Sequence, residues 1–157
     1  MAVIVVMMGM LVQCLAQKVW HPEWLNRSAE LCDSVWKHYR EGGTLLLREN
    51  FNPAEDFKAD YLAESQSART HAFLWPYSGA LSAEAAKYEV YPSRKRLKAI
   101  KRLVAQGLDM YLDTVRKPAG YASYTKYNPA PDRFYDDNVR IGIDFADLYT
   151  ASKDREF

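Results

Sequence analysis

Apolar residues recur at helical spacing in four stretches of the chain. Residues 22 to 39 open with Pro22, which suits a first helical turn. Leu25, Cys32, Trp36 and Tyr39 then fall along one side, and Trp24, Leu31 and Val35 widen the stripe. Gly42-Gly43 is expected to end this helix by permitting a left-handed cap. From Thr44 to Asp60 no period emerges and Asn52-Pro53 marks a turn, so a loop or weakly ordered connection is expected there. A second helix is predicted over Trp75 to Tyr88, with Pro76 in its first turn and Ala80, Leu81, Ala83, Ala85 and Ala86 as strong helix formers. The clearest pattern runs from Ser93, a good N-cap after Pro92, to about Thr114. Its buried face would be Leu97, Ile100, Val104, Leu108, Tyr111 and Val115. Lys117-Pro118-Ala119-Gly120 closes that helix, and Tyr121 to Tyr127 read as an extended loop. After the turn signal Asn128-Pro129-Ala130-Pro131, the stretch from Asp132 to Tyr149 reads as a fourth helix, with Ile141, Phe145, Leu148 and Tyr149 on one side.

Four helices separated by loops, with no short repeat and no low-complexity linker, predict an all-α domain of paired helices. At 157 residues and 48% apolar composition, the chain is long enough for one domain with a real core. Its 21 basic and 20 acidic residues nearly cancel, so the total charge implies no polyanionic partner. One local exception is the run Arg94, Lys95, Arg96, Lys98, Lys101 and Arg102 at the front of the third helix. These charges interleave with an apolar stripe and lack base-stacking aromatics, which favours a solvated helix face over a nucleic-acid patch.

Residues 1 to 12 form an uninterrupted apolar run, too short to span a bilayer comfortably but suited to a secretory signal. Cleavage after Cys14-Leu15-Ala16 would make residues 1 to 16 a signal peptide and 17 to 157 the mature domain. No basic residue precedes the run, which departs from the usual signal. Leu11-Val12-Gln13-Cys14 also resembles a bacterial lipoprotein box, although Gln13 stands where a small residue is expected. A secreted or cell-envelope protein is therefore expected, with soluble export ahead of a lipid anchor; a buried N-terminal helix or strand is the structural alternative. Cys32 would then be a lone cysteine, best read as a small buried apolar side chain. His21, His38 and His71 show no ligand spacing, and no structural zinc is expected.

Two adjacent aspartates, Asp136 and Asp137, stand at the front of the fourth helix between Phe134-Tyr135 and Asn138. A helix N-terminus stabilises negative charge, so helix capping plus a solvated charge is the plain structural reading of the pair. Two carboxylates side by side push one pKa up and the other down, which separates an acid from a nucleophile or base. The 4 Trp and 11 Tyr suit sugar stacking, and they equally suit a helical core.

The run Asp132-Arg-Phe-Tyr-Asp-Asp-Asn-Val, followed by Ile-Gly-Ile-Asp-Phe-Ala-Asp-Leu-Tyr, resembles the signature of glycoside hydrolase family 76, the endo-acting α-1,6-mannanases. His71-Ala72-Phe73-Leu74-Trp75-Pro76-Tyr77-Ser78-Gly79 is similar to an upstream segment of the same family. The resemblance spans roughly residues 27 to 157. It implies an (α/α)6 toroid with its active site at one end. Because a helix pair takes ~20–45 residues in stacked architectures, six pairs need on the order of twice this chain. The resemblance thus implies a partial toroid, its N-terminal portion. Apolar helix faces would be left exposed and open to self-association.

The implied reaction is hydrolysis of α-mannan with retention. Asp136 would be the nucleophile and Asp137 the acid and base, their carboxyl groups ~5–5.5 Å apart. Trp75, Tyr77 and Tyr135 would line the sugar site, with packing between helices as the structural alternative for Trp75 and Tyr77. Asp132 and Asn138 would orient the pair, and the tyrosine-rich loop after Gly120 would help form a glycan platform. Neither a metal nor an organic cofactor is needed for such chemistry. Arg140 departs from the family pattern, which carries an aromatic there, and a cation at that point is expected to reshape the cleft or shift the aspartates. The rival expectation is a non-catalytic helical protein that binds glycans or another protein through its aromatic loop.

Overall fold

A computed structural model describes residues 21–51, 71–125 and 131–157. The expected signal segment, Asn52-Pro53, Tyr127 and the turn at 128–130 lie outside the described residues. Among the described residues the architecture is all-α, built of four α-helices and one two-stranded ribbon: α1 (Pro22–Tyr39), α2 (Leu74–Val90), α3 (Arg94–Gln106), β1 (Leu112–Asp113), β2 (Gly120–Tyr121) and α4 (Tyr135–Ser152).

Helix α2 is the hub, packing on α1, α3 and, most extensively, α4. Leu74, Tyr77, Ser78, Leu81, Ala85 and Tyr88 form its buried side, a spacing of three and four residues that keeps one face inward. The core continues through Ile100 and Leu103 of α3 and Ile141 and Leu148 of α4. On α4 the inward face is Asp137, Ile141, Asp144 and Leu148. The expected stripe is therefore turned by about one residue: Phe145 sits at the flank and Tyr149 is exposed.

Two helix ends differ from expectation. Gly42-Gly43 does not cap α1, which stops at Arg40 in extended backbone. Arg40 then bridges to Leu47, and Gly43, at φ 80°, makes the turn between them. The stretch 44–51 is ordered as a result. Leu46 and Leu47 are buried, Arg48 N–H donates to the Tyr39 carbonyl at 2.7 Å, and Ala72 N–H donates to the Leu47 carbonyl at 2.8 Å.

Helix α3 begins where predicted, with Ser93 Oγ accepting from Arg96 N–H at 3.2 Å. It ends at Gly107, well short of Thr114. A β-carbon on Gly107 would lie 1.8 Å from the Tyr77 hydroxyl and 2.7 Å from the Leu103 carbonyl oxygen, so only glycine admits the close approach of α2 there. A 3-10 turn over Leu108–Tyr111 follows and delivers Leu108 and Tyr111 to the core, while Val115, outside both, is exposed. The hydroxyls of Tyr77 and Tyr111 donate to the carbonyls of Leu45 and Ala72 at 2.8 and 2.7 Å. Burial raises the pKa of both phenols, which keeps them neutral donors.

The ribbon pairs Leu112 with Tyr121 and Asp113 with Gly120. Asp113 Oδ1 ties its connection by accepting from the N–H groups of Val115 and Arg116 at 2.9 and 3.2 Å. The Arg116 guanidinium beside Asp113 holds this carboxyl down at about 2. At the other end of the molecule Lys153 adopts the left-handed conformation that closes α4, and Phe157 returns to Phe145 with ring centroids 6.1 Å apart. Lys101 of the basic run meets Asp154 and Glu156 of this tail, so part of that run is neutralised within the chain.

Helix α1 is the outlier. None of its residues is fully buried, and Trp24, Leu31 and Val35 are exposed. Of the expected inner line, Trp36 and Tyr39 pack against the core. Cys32 is half-buried on that line, and desolvation pushes its thiol up. Among the described residues no helix is long and apolar enough to cross a membrane.

Candidate active site

The start of α4 is placed by a clamp rather than by a cap. Its N-cap residue, Phe134, has no side chain able to bond the free N–H groups of the first turn. Asn138 takes hold of β2 instead: its Oδ1 accepts from Tyr121 N–H at 2.8 Å and its Nδ2 donates to the Tyr121 carbonyl at 2.9 Å. The same Nδ2 reaches the Phe134 carbonyl at 2.8 Å. Upstream, the backbone carbonyl of Asp132 accepts from Ser123 N–H at 2.7 Å, and Ser123 in turn gives its carbonyl to Leu74 N–H at 2.8 Å. The starts of α2 and α4 are thereby tied to one short segment. The bonds that Asp132 and Asn138 make here are to or from backbone groups.

Between these two helix starts lies a cleft of about 550 Å³. Asp136 and Asp137 line it together with Trp75, Pro76, Phe73, Phe134, Ser123 and Glu49. The two carboxylates reach it differently. Asp136 is exposed, whereas Asp137, one residue on, turns toward α2 and is only 5% exposed. Burial is the main cause that raises the pKa of Asp137, and the charge of Asp136 adds to it. Among the described residues no hydrogen bond is one of the causes acting on Asp137, so none offsets that rise. The pair is thus split into a carboxyl that holds its proton more strongly and a solvent-facing neighbour.

The other expected site residues divide. Trp75 lines the cleft with 53% of its surface exposed. Tyr77 does not: two residues along α2 it points to the opposite side, 1% exposed between Trp36 and Tyr111. Tyr135 is 93% exposed and outside the cleft lining, because the first residue of α4 projects outward. In the loop after Gly120, Ala122, Tyr124 and Thr125 are buried rather than presented as a platform, and Tyr124 packs on Phe73 with ring centroids 5.3 Å apart.

Glu49 escaped the sequence reading. It stands in the stretch without periodicity, and its place in the cleft comes from a long-range bond, Phe73 N–H donating to Oε2 at 3.1 Å. Asp144 escaped as well. It is 6% exposed on the inner face of α4 and accepts from Ser82 Oγ of α2 at 2.8 Å. Its seven-residue spacing from Asp137, two helical turns, was the available signal. Burial raises the pKa of Asp144, against the opposing pull of the Ser82 bond and Arg140. Arg140 therefore acts on Asp144, while burial and Asp136 are what act on Asp137. Among the described residues no group of three acidic, histidine or cysteine side chains is placed to hold a metal ion.

Comparison with known proteins gives no match, either among family models or among curated sequences.

Proposed function

We propose that this chain is a retaining glycoside hydrolase that acts on α-1,6-linked mannan. The observation that carries the reading is the asymmetry of Asp136 and Asp137 in one cleft: a buried carboxyl with a raised pKa beside an exposed one. The motif resemblance to family 76 supplies the substrate class. Asp136 attacks the anomeric carbon and forms a glycosyl ester, while Asp137 passes its proton to the departing glycosidic oxygen. Asp137 then takes a proton from water, whose oxygen attacks the anomeric carbon and releases Asp136. Trp75, exposed at the rim, offers an aromatic face to a sugar ring.

The same reading makes the four helices part of an (α/α)6 toroid. The bare apolar side of α1 supports this, since a ring helix covers such a side with its neighbours. Secretion to the cell exterior or envelope suits a polysaccharide substrate and the apolar segment 1–16.

The test is release of reducing sugar from α-1,6-mannan by the purified chain. Wild type is expected to release it, Asp136→Asn to abolish release, and Asp137→Asn to lower the rate by ~10²–10⁴-fold and remove the alkaline limb of the pH profile. Release that survives Asp136→Asn overturns the assignment of the nucleophile. A folded wild type that binds mannan oligosaccharide without cleaving it points to a non-catalytic glycan-binding protein instead.

A further inference from the structure

The seam between α2 and α4 holds a charged group that the chemistry above does not use. The guanidinium carbon of Arg140 lies 5.7 Å from the centre of the Trp75 ring, within cation–π range. Its Nε is buried without a hydrogen-bond partner. On the inner side of α4, one turn further on, stands Asp144, fixed by Ser82, whose hydroxyl also lies 3.0 Å from the Ser78 carbonyl. Trp75 lines the cleft alongside Asp136 and Asp137, whereas Arg140 is not among the residues that line it.

These placements give Arg140 a contact with the tryptophan and none with the cleft itself. An arginine kept for the fold would spend its donors on carbonyls or carboxylates, yet this one leaves a buried N–H unbonded. What it does is back an indole that is otherwise half in solvent. A side chain fixed in its bound rotamer before the ligand arrives loses less entropy on binding.

We infer that Arg140 is a positioning residue for glycan binding: lying in the electrostatic field of Asp144, it holds the Trp75 indole as a stacking platform for a neutral hexopyranose ring beside the aspartate pair. The inference rests on the glycosidase reading, and it explains what the departure from an aromatic at position 140 does. The cation at this position supports a cleft residue from behind instead of entering the cleft.

The experiment uses the full chain and α-1,6-linked mannotetraose, with binding read by calorimetry and by tryptophan emission, alongside hydrolysis. Arg140→Met is expected to raise Kd and KM about tenfold, the effect of freeing one side chain, with kcat little changed. Its Tm is expected to hold or rise, because the unbonded Nε is gone. Arg140→Lys keeps charge but loses the planar guanidinium and should fall between Met and wild type. In a Trp75→Ala background Arg140→Met should cost nothing further, since both changes remove one platform. Additive losses in that double variant, wild-type binding by Arg140→Met, or a fall in kcat alone would overturn the inference while leaving the glycosidase reading intact. If wild type neither binds nor cleaves the tetraose, the glycosidase reading fails and the inference falls with it.

Discussion

Helices α1 and α2 are of similar length and both carry aromatic residues, but α1 is amphipathic while α2 is apolar or small on most sides, and the fold treats them differently. Six residues of α2 are buried, and none of α1 is. The difference lies in neighbours. Among the described residues, α2 is enclosed by α1, α3 and α4, whereas α1 packs chiefly on α2 and on the segment around Arg48 and Phe51. Periodicity tells which face a helix will bury, but not how many partners will arrive to bury it. The enclosed side also tolerates what the open side does not need. Ser78, Asp137 and Asp144 lie buried in the α2–α4 seam, and buried polar groups cost free energy unless bonded or functional. That seam ends at the cleft.

The largest effect that separates the two helices is truncation of the seam. Leu81 is fully buried on α2, and Leu81→Ala is expected to cost about 2–5 kcal/mol, read as a fall in the urea midpoint at unchanged slope. A loss below 1 kcal/mol would mean that the enclosed core is looser than its burial indicates. The contact of α2 with the end of α3 is sharper still in geometry. Gly107→Ala places a methyl against the Tyr77 hydroxyl and two carbonyl oxygens, and overpacking of this kind typically costs ~1–3 kcal/mol. Tyr77→Phe should recover only part of that loss, because the carbonyls of Leu103 and Leu45 remain in the way.

Helix positions and much of the core were legible because they depend on local rules. Pro22, Ser93 and the spacing of Ile100, Leu108 and Ile141 each state their role within a few residues. The misplaced features depend on contacts between distant segments. Position 107 must be glycine because the Tyr77 hydroxyl occupies the space of a β-carbon, and the register of Trp75 and Tyr77 on α2 decides which of the two reaches the cleft. Glu49 is in the cleft through the Phe73 N–H, 24 positions away, and no local pattern announces such a bond. The aspartate pair was visible as a motif, but its asymmetry was not, since that comes from where α2 lies against α4.

Electrostatics offers a finer way to divide the seam from the surface. Asp137 and Asp144 have raised pKa values, so the folded state binds their protons more tightly than the unfolded chain does. Their contribution to stability is greatest below the ordinary carboxylate value of about 3.9 and is lost as pH rises through the raised folded values. Asp113 behaves oppositely. Held down at about 2, it contributes stability above its ordinary value that is lost as pH falls toward 2. Urea midpoints across this range should show Asp144→Asn flattening the decline on the alkaline side, and Asp113→Asn flattening the decline on the acid side. If Asp144→Asn left the alkaline side unchanged, Asp144 would not be the buried acid that the seam requires.

The smallest expected effect sits on the open face of α1. Leu31 is 61% exposed and Trp24 60% exposed, so neither gives up much water-free contact when shortened. Leu31→Ala is expected to change the unfolding free energy of the dilute monomer by no more than about 0.5 kcal/mol. The contrast with Leu81→Ala, one leucine for another on two helices of similar length, isolates enclosure as the cause. Repeating the Leu31→Ala measurement at rising protein concentration extends the test. An association through this face would stabilise wild type by mass action and leave the variant behind. A loss near that of Leu81→Ala even at high dilution would show that a further part of the chain covers α1, and the contrast between the two helices would collapse.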